Sequence, residues 1–158
     1  MKLLAILCSF YIFNVSAETI NAKVIRVLDG DTIDVVTLPA NVLTYESPIR
    51  IRFANIDAPE KSQAYGMQSR SVLAAAIEDK RVDIDITAHD KYGRAIGTVI
   101  LNGQNINRYM VESGSAWVYR QYCRDKAMYA YELKARYSKK GLWAESKPVP
   151  PWEYRHAG

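Results

Sequence analysis

Three short polar clusters stand where runs of strand-forming residues end. They are Asp29-Gly30-Asp31-Thr32, Arg52 to Glu60 (RFANIDAPE) and Asp90 to Arg94 (DKYGR). Each mixes carboxylates with an arginine or lies beside one. Hard divalent cations bind carboxylate oxygens, and a guanidinium offers a planar fork of donors matched to phosphate oxygens. A pocket drawing on all three clusters would suit metal-assisted chemistry on a phosphoryl group. Each cluster also has a plain structural use. Asp-Gly between β-branched runs is a hairpin turn. Asp57-Ala58-Pro59-Glu60 can be a turn leading into a helix, and Asp90 to Arg94 a hairpin loop with a surface ion pair. The combination is more specific than any part: "DGDT" can be a turn by geometry that also presents Asp31 to a cation.

The elements that must position these clusters are readable from periodicity. Residues 19–28 and 32–38 form two strands around the Asp-Gly turn, followed by a loop from Pro39 to Pro48. In residues 49–54, Ile49, Ile51 and Phe53 face one way and Arg50 and Arg52 the other. Pro59 cannot continue a ladder and ends that strand. Residues 66–79 read as a helix with Val72, Leu73, Ala76 and Ile77 on one face. Residues 81–87 alternate strictly, with Val82, Ile84 and Ile86 inward, and residues 95–101 form a fifth strand closed by Asn102-Gly103. A short helix over 104–113 and a longer one over 125–139 follow, with Gly141 as its stop. Short strands with a helix between the third and fourth fit a five-stranded barrel of the oligonucleotide-binding type (OB-fold) with about three helices. The same pattern also allows an open α+β sheet.

Composition narrows the class without choosing a function. The chain has 158 residues, 49% hydrophobic and 24% charged, which suits one globular domain. Lys2 and the apolar run Leu3 to Phe13 precede Val15-Ser16-Ala17, the pattern of a signal peptide over residues 1–17 cleaved after Ala17. A short membrane anchor is the alternative, disfavoured by length. The net charge is +4, and loss of Lys2 leaves +3, a mild bias toward polyanionic partners. Cys8 leaves with the signal and Cys123 remains alone, with no internal disulfide to form. His89 and His156 are isolated and lack the companions a zinc site needs. No phosphate-binding glycine loop of the P-loop or dinucleotide type is present. Lys134, Arg136, Lys139 and Lys140 read as the solvated face of the last long helix, and Trp143 and Trp152 as packing anchors for the C-terminal segment.

The segments "DGDT", "RFANIDAPE" and "DKYGR", in that order and at these separations, resemble the thermonuclease family, also called staphylococcal or micrococcal nuclease. "GSAWVYRQY" and "LWAESKPVPPWEYR" resemble further segments of its secreted bacterial members. The likeness covers nearly all of residues 19–155. It implies an OB-fold domain over residues 18–145 with a C-terminal extension over 146–158, and a secreted, Ca²⁺-dependent phosphodiesterase that cuts DNA and RNA, in the periplasm or outside the cell. By position, it implies Asp31 and Asp57 as calcium carboxylates and Ala58 as a main-chain carbonyl ligand where the familiar member has Thr. Glu60 takes the place of the general base, and Arg52 and Arg94 those of the arginines on the reacting phosphate. Asp29 matches an acidic neighbour of the site. Tyr92 fits the site wall, Trp117 a nucleotide wall, and Tyr119 stacking or hydrogen bonding to substrate. The segment Lys61 to Gly66 is short beside the family's mobile loop.

Two other functions fit parts of the pattern. A non-catalytic nucleic-acid-binding barrel would keep the fold and lose some of Asp31, Arg52, Asp57, Glu60 and Arg94, yet all five are present. A phosphatase acting on small phosphate esters would need the same charges. No stable protein partner is evident, and a monomer is expected.

Overall fold

The structure, a computed structural model, describes residues 18–37 and 47–157. The expected signal peptide and most of the loop after Pro39 lie outside them. In chain order the strands are β1 (Glu18–Val27), β2 (Thr32–Thr37), β3 (Ile49–Phe53), β4 (Ile56–Asp57), β5 (Arg81–His89), β6 (Ala95–Leu101), β7 (Gln104–Asn105) and β8 (Trp117–Val118). The helices are α1 (Gly66–Ile77), α2 (Ile106–Glu112), α3 (Lys126–Tyr137) and the single turn α4 (Pro151–Tyr154), with a 3-10 turn over Gly141–Ala144.

Five strands close into the expected barrel. β1 lies between β2 and β5, β2 pairs with β3, and β5 with β6, all antiparallel. β3 then meets β6 in parallel, Ile51 opposite Ala95 and Phe53 opposite Gly97, which shuts the ring. Closure removes the open edges that would favour sheet-to-sheet aggregation. β7 adds a short extra strand to β6. The interior is filled by Val24, Ile33, Val35, Ile51, Phe53, Ile84 and Val99, all essentially inaccessible. Their alternation along each strand is the period-two pattern of the sequence. In β1 that phase slips: a bulge between Val24 and Arg26 leaves Ile25 exposed and returns Val27 to the core.

Helix boundaries differ slightly from the periodicity, and capping explains where. α2 starts at Ile106, because residues 104–105 pair with β6 and the Asn105 side chain then accepts from the Arg108 N–H. Asp125 caps α3 by accepting from the Ala127 N–H. α3 ends at Tyr137, ahead of Gly141. Gly141 serves a close crossing instead: a Cβ there would stand 2.3 Å from the Gly114 carbonyl oxygen, and the Leu142 N–H donates to that carbonyl. Arg136 also departs from the solvated-face expectation. Its guanidinium lies over Trp143 and Trp117, at 4.1 and 4.8 Å from the ring centroids, and pairs with the buried Glu132. Among the described residues, no helix is long and apolar enough to cross a membrane.

Two buried polar side chains tie the helices to the barrel. Asn107 of α2 accepts from the Val99 N–H and donates to the Ala54 and Gly97 carbonyls. Glu132 of α3 accepts from the Val118 N–H and from Arg120. Each fills hydrogen bonds that a buried backbone would otherwise lack.

Candidate active site

The residue before β2, the end of β3 and the adjoining β4 converge on one side of the barrel. Asp31 sits there, 4% exposed. Its carbonyl accepts from the Phe53 N–H, which pins the start of β2 to the end of β3. Asp29 accepts from the Asp31 N–H in an Asx-type turn, so this part of "DGDT" is a turn as local chemistry predicts. Gly30 is required by space: a Cβ would stand 1.9 Å from the Ser69 hydroxyl and 2.7 Å from the Ala58 Cβ. β4 returns Asp57 to the site, held opposite Trp117 of β8.

Arg52 connects the two aspartates. It reaches Asp31 Oδ2 at 3.0 Å and Asp57 Oδ1 at 2.8 Å, and also donates to the carbonyls of Phe53 and Ile56. Asp31 further accepts from the Thr32 hydroxyl and from the Ala58 N–H. Glu60 lies just beyond, its N–H bonded to Gln63, with a side chain 39% exposed. Gly66 opens α1 directly under it, since a Cβ there would fall 1.8 Å from the Glu60 carbonyl oxygen. Burial is the largest influence on Asp31. It pushes the carboxyl up to about 8 against the opposing pull of Arg52, and the nearby charges of Asp29 and Asp57 push the same way as burial.

The structure therefore brings Asp31, Arg52, Asp57 and Glu60 together, with Ala58 against Asp31. Arg94 and Tyr92 lie in the turn between β5 and β6, just before Ala95, which pairs with Ile51 of β3. Arg94 pairs with Asp90 at 2.6 Å and stands over the Tyr92 ring. Both line an open cleft of about 520 Å³ with Arg26, Asp34 and Arg50. There Arg26 and Arg50 grip Asp34, and the hydrogen bond from Arg50 holds its carboxyl below the usual range. The cleft adjoins the site because Arg50 precedes Arg52 by two residues on one strand face. Trp117 is buried, edge-on to Trp143 and Trp152, and Tyr119 stacks on Trp152 at 5.7 Å with rings 4° from parallel.

Arg155 closes the segment LWAESKPVPPWEYR, but nothing in the sequence placed it at the site. From the turn after α4 it reaches Asp57 Oδ2 at 2.8 Å and Glu60 Oε1 at 2.7 Å. Among the described residues, no three His, Cys, Asp or Glu side chains gather as a ready metal cage. The two guanidinium groups stand between the carboxylates. The donor set itself is all oxygen, with no thiolate or imidazole, which suits a hard cation. Arg155 meets Asp57 and Glu60 as a cation would.

A family model described as staphylococcal nuclease homologue matches residues 50–145, which contain Arg52, Asp57, Glu60 and Arg94. The chain belongs to the staphylococcal nuclease family. Two bacterial proteins named as nucleases are similar over most of their own length. A micrococcal nuclease of Shigella flexneri is 41% identical over 146 residues, 85% of this chain and 80% of its own. An uncharacterized endonuclease of Escherichia coli is 39% identical over 156 residues, 98% of this chain and 97% of its own. The likeness extends to plants: a staphylococcal-like nuclease of Arabidopsis thaliana is 36% identical over 106 residues, 67% of this chain and 33% of its own. In this staphylococcal nuclease homologue, the OB-fold barrel gathers Asp31, Arg52, Asp57 and Glu60, with Arg94 in the adjoining cleft.

Proposed function

We propose that this nuclease is a secreted, Ca²⁺-dependent, sugar-nonspecific endonuclease that hydrolyses phosphodiester bonds in DNA and RNA. Membership of the family supports a nuclease hydrolase acting on nucleic acid. The observation that carries the finer reading is the joint network in which Arg52 bridges Asp31 and Asp57 and Arg155 bridges Asp57 and Glu60, drawn from the turn before β2, the segment 52–60 and the C-terminal turn. Asp31, Asp57 and the Ala58 carbonyl would hold Ca²⁺. Bound there, the ion would lower the charge repulsion that a phosphodiester presents to a nucleophile.

The chain's own residues supply the rest. The Glu60 side chain is 39% exposed and can take a proton from an attacking water. Arg52 is rigidly held by two carbonyls and can donate to the phosphoryl oxygens as their charge grows, a contribution of about 2.7–4 kcal/mol for a preorganised donor. Arg94 can do the same on releasing Asp90. The arginine-lined cleft and Tyr92 grip backbone and stack on bases, contacts that carry no sequence information.

The test is cleavage of plasmid DNA and of RNA by purified protein, with Ca²⁺ and then with a chelator. Cutting of both polymers that stops on chelation is expected. Cutting that persists under chelation would remove the cation from the reading, and binding without any cutting would favour a non-catalytic barrel.

A further inference from the structure

The C-terminal segment is anchored on the site by several independent contacts. The Val149 carbonyl accepts from Gln63, the residue whose side chain also holds the Glu60 N–H. Pro151 is buried. Trp152 stacks on Tyr119 and meets Trp117 edge-on. The Tyr154 hydroxyl bonds Ser62. These contacts deliver Arg155 to both Asp57 oxygens and to Glu60.

As a result, every carboxylate oxygen of Asp31 and Asp57 already has a donor. Asp31 is served by Thr32, Ala58 and Arg52, and Asp57 by Arg52 and Arg155. A cation drawn to Asp57 therefore competes with the guanidinium groups already set against it. Arg52 is the harder to move: its side chain is 14% exposed, sits on a central strand and is fastened to two carbonyls. The Arg155 side chain is 38% exposed and follows a single helical turn. A guanidinium this close also repels an incoming cation.

We propose that the segment from Pro148 to Arg155 is a displaceable latch: Arg155, paired with Asp57 and Glu60, occupies the Asp57 side of the cation position and gives it up when a divalent cation binds. The proposal rests on the cation reading above. Trp152 holds the latch down, and it covers the face of Tyr119 that a base would otherwise use.

Calorimetric titration with Ca²⁺ alone, without substrate, tests it on the wild type and on Arg155→Gln and Arg155→Lys. Arg155→Gln should bind Ca²⁺ about tenfold more tightly, the order of one charge-assisted hydrogen bond removed from competition, and Arg155→Lys should stay closer to the wild type. Binding by the variant alone would support the latch most strongly. Trp152→Ala keeps the arginine and frees its anchor, so it should tighten binding by a smaller factor; this second route stands if Arg155→Gln folds poorly by near-ultraviolet circular dichroism. Equal or weaker binding by folded variants overturns the latch and leaves the cation site standing. Absence of binding in every protein overturns both, and does so through the cation site itself.

Discussion

Replacing Asp31 with Asn should stabilise the cation-free protein while abolishing its activity. The Asp31 side chain is 6% exposed, and burial raises its pKa from 3.8 to about 8. A raised carboxyl pKa means the folded state holds its proton more tightly than the unfolded state. Stability from this group is therefore fully present below about pH 4 and lost progressively as the pH rises to about 8. At pH 7 the interval above the unfolded value corresponds to a ceiling of about 4 kcal/mol. Relaxation around the charge and the lost pairing with Arg52 reduce the expected gain to about 1–3 kcal/mol. The asparagine oxygen can still accept from the Ala58 N–H, and Arg52 keeps Asp57. Urea unfolding in chelator from pH 4 to 8 measures it: the advantage of the variant should be near zero at the acid end and grow with pH. Added Ca²⁺ should then stabilise the wild type by mass action and leave the variant unchanged. A variant less stable than the wild type at pH 7, or an advantage that does not change with pH, would refute the argument that burial of a charge dominates at Asp31.

Glu60→Gln keeps an acceptor for Arg155 but cannot take a proton. It should lower kcat by about 10²–10⁴ with substrate affinity within a few-fold, read from steady-state cleavage. Gly66→Ala places a methyl against the Glu60 carbonyl and should cost about 1–3 kcal/mol in urea unfolding while also reducing cleavage, because the backbone that carries Glu60 must shift. Asn107→Asp keeps the acceptor for Val99 but loses donors to the Ala54 and Gly97 carbonyls and buries a carboxylate. Thermal unfolding should show a loss of about 3 kcal/mol or more at neutral pH that shrinks in acid, where the carboxyl regains a proton to donate.

Much of this molecule is legible along the chain, because its determinants are local. Alternation in residues 49–53 and 81–86 separates core from surface, since side chains on a strand change face at every step. Asp29-Gly30-Asp31 forms its turn through a bond between neighbours two residues apart. The helices show in their 3–4 spacing, with their ends set by caps at Asn105 and Asp125. The motif segments themselves carry the family likeness. The bulge in β1 was not legible, since it depends on how two strands share their register.

Other features depend on where distant segments come to rest. The parallel closure of β3 on β6 and the pairing of β4 with β8 have no signature in either partner, because β4 and β8 are two residues long and are defined only by each other. Arg94 shares a motif with the site, yet its guanidinium turns to Asp90 because that carboxylate is four residues away and within reach. Arg155 reaches Asp57 across 98 positions of sequence, delivered by the packing of Trp152 and Pro151. The sequence by itself determined the strands, the turns and which charged residues were on offer, since those follow from period and chemical type. Only the tertiary structure decided which charges meet, because a Coulomb interaction depends on distance in space and is indifferent to distance along the chain.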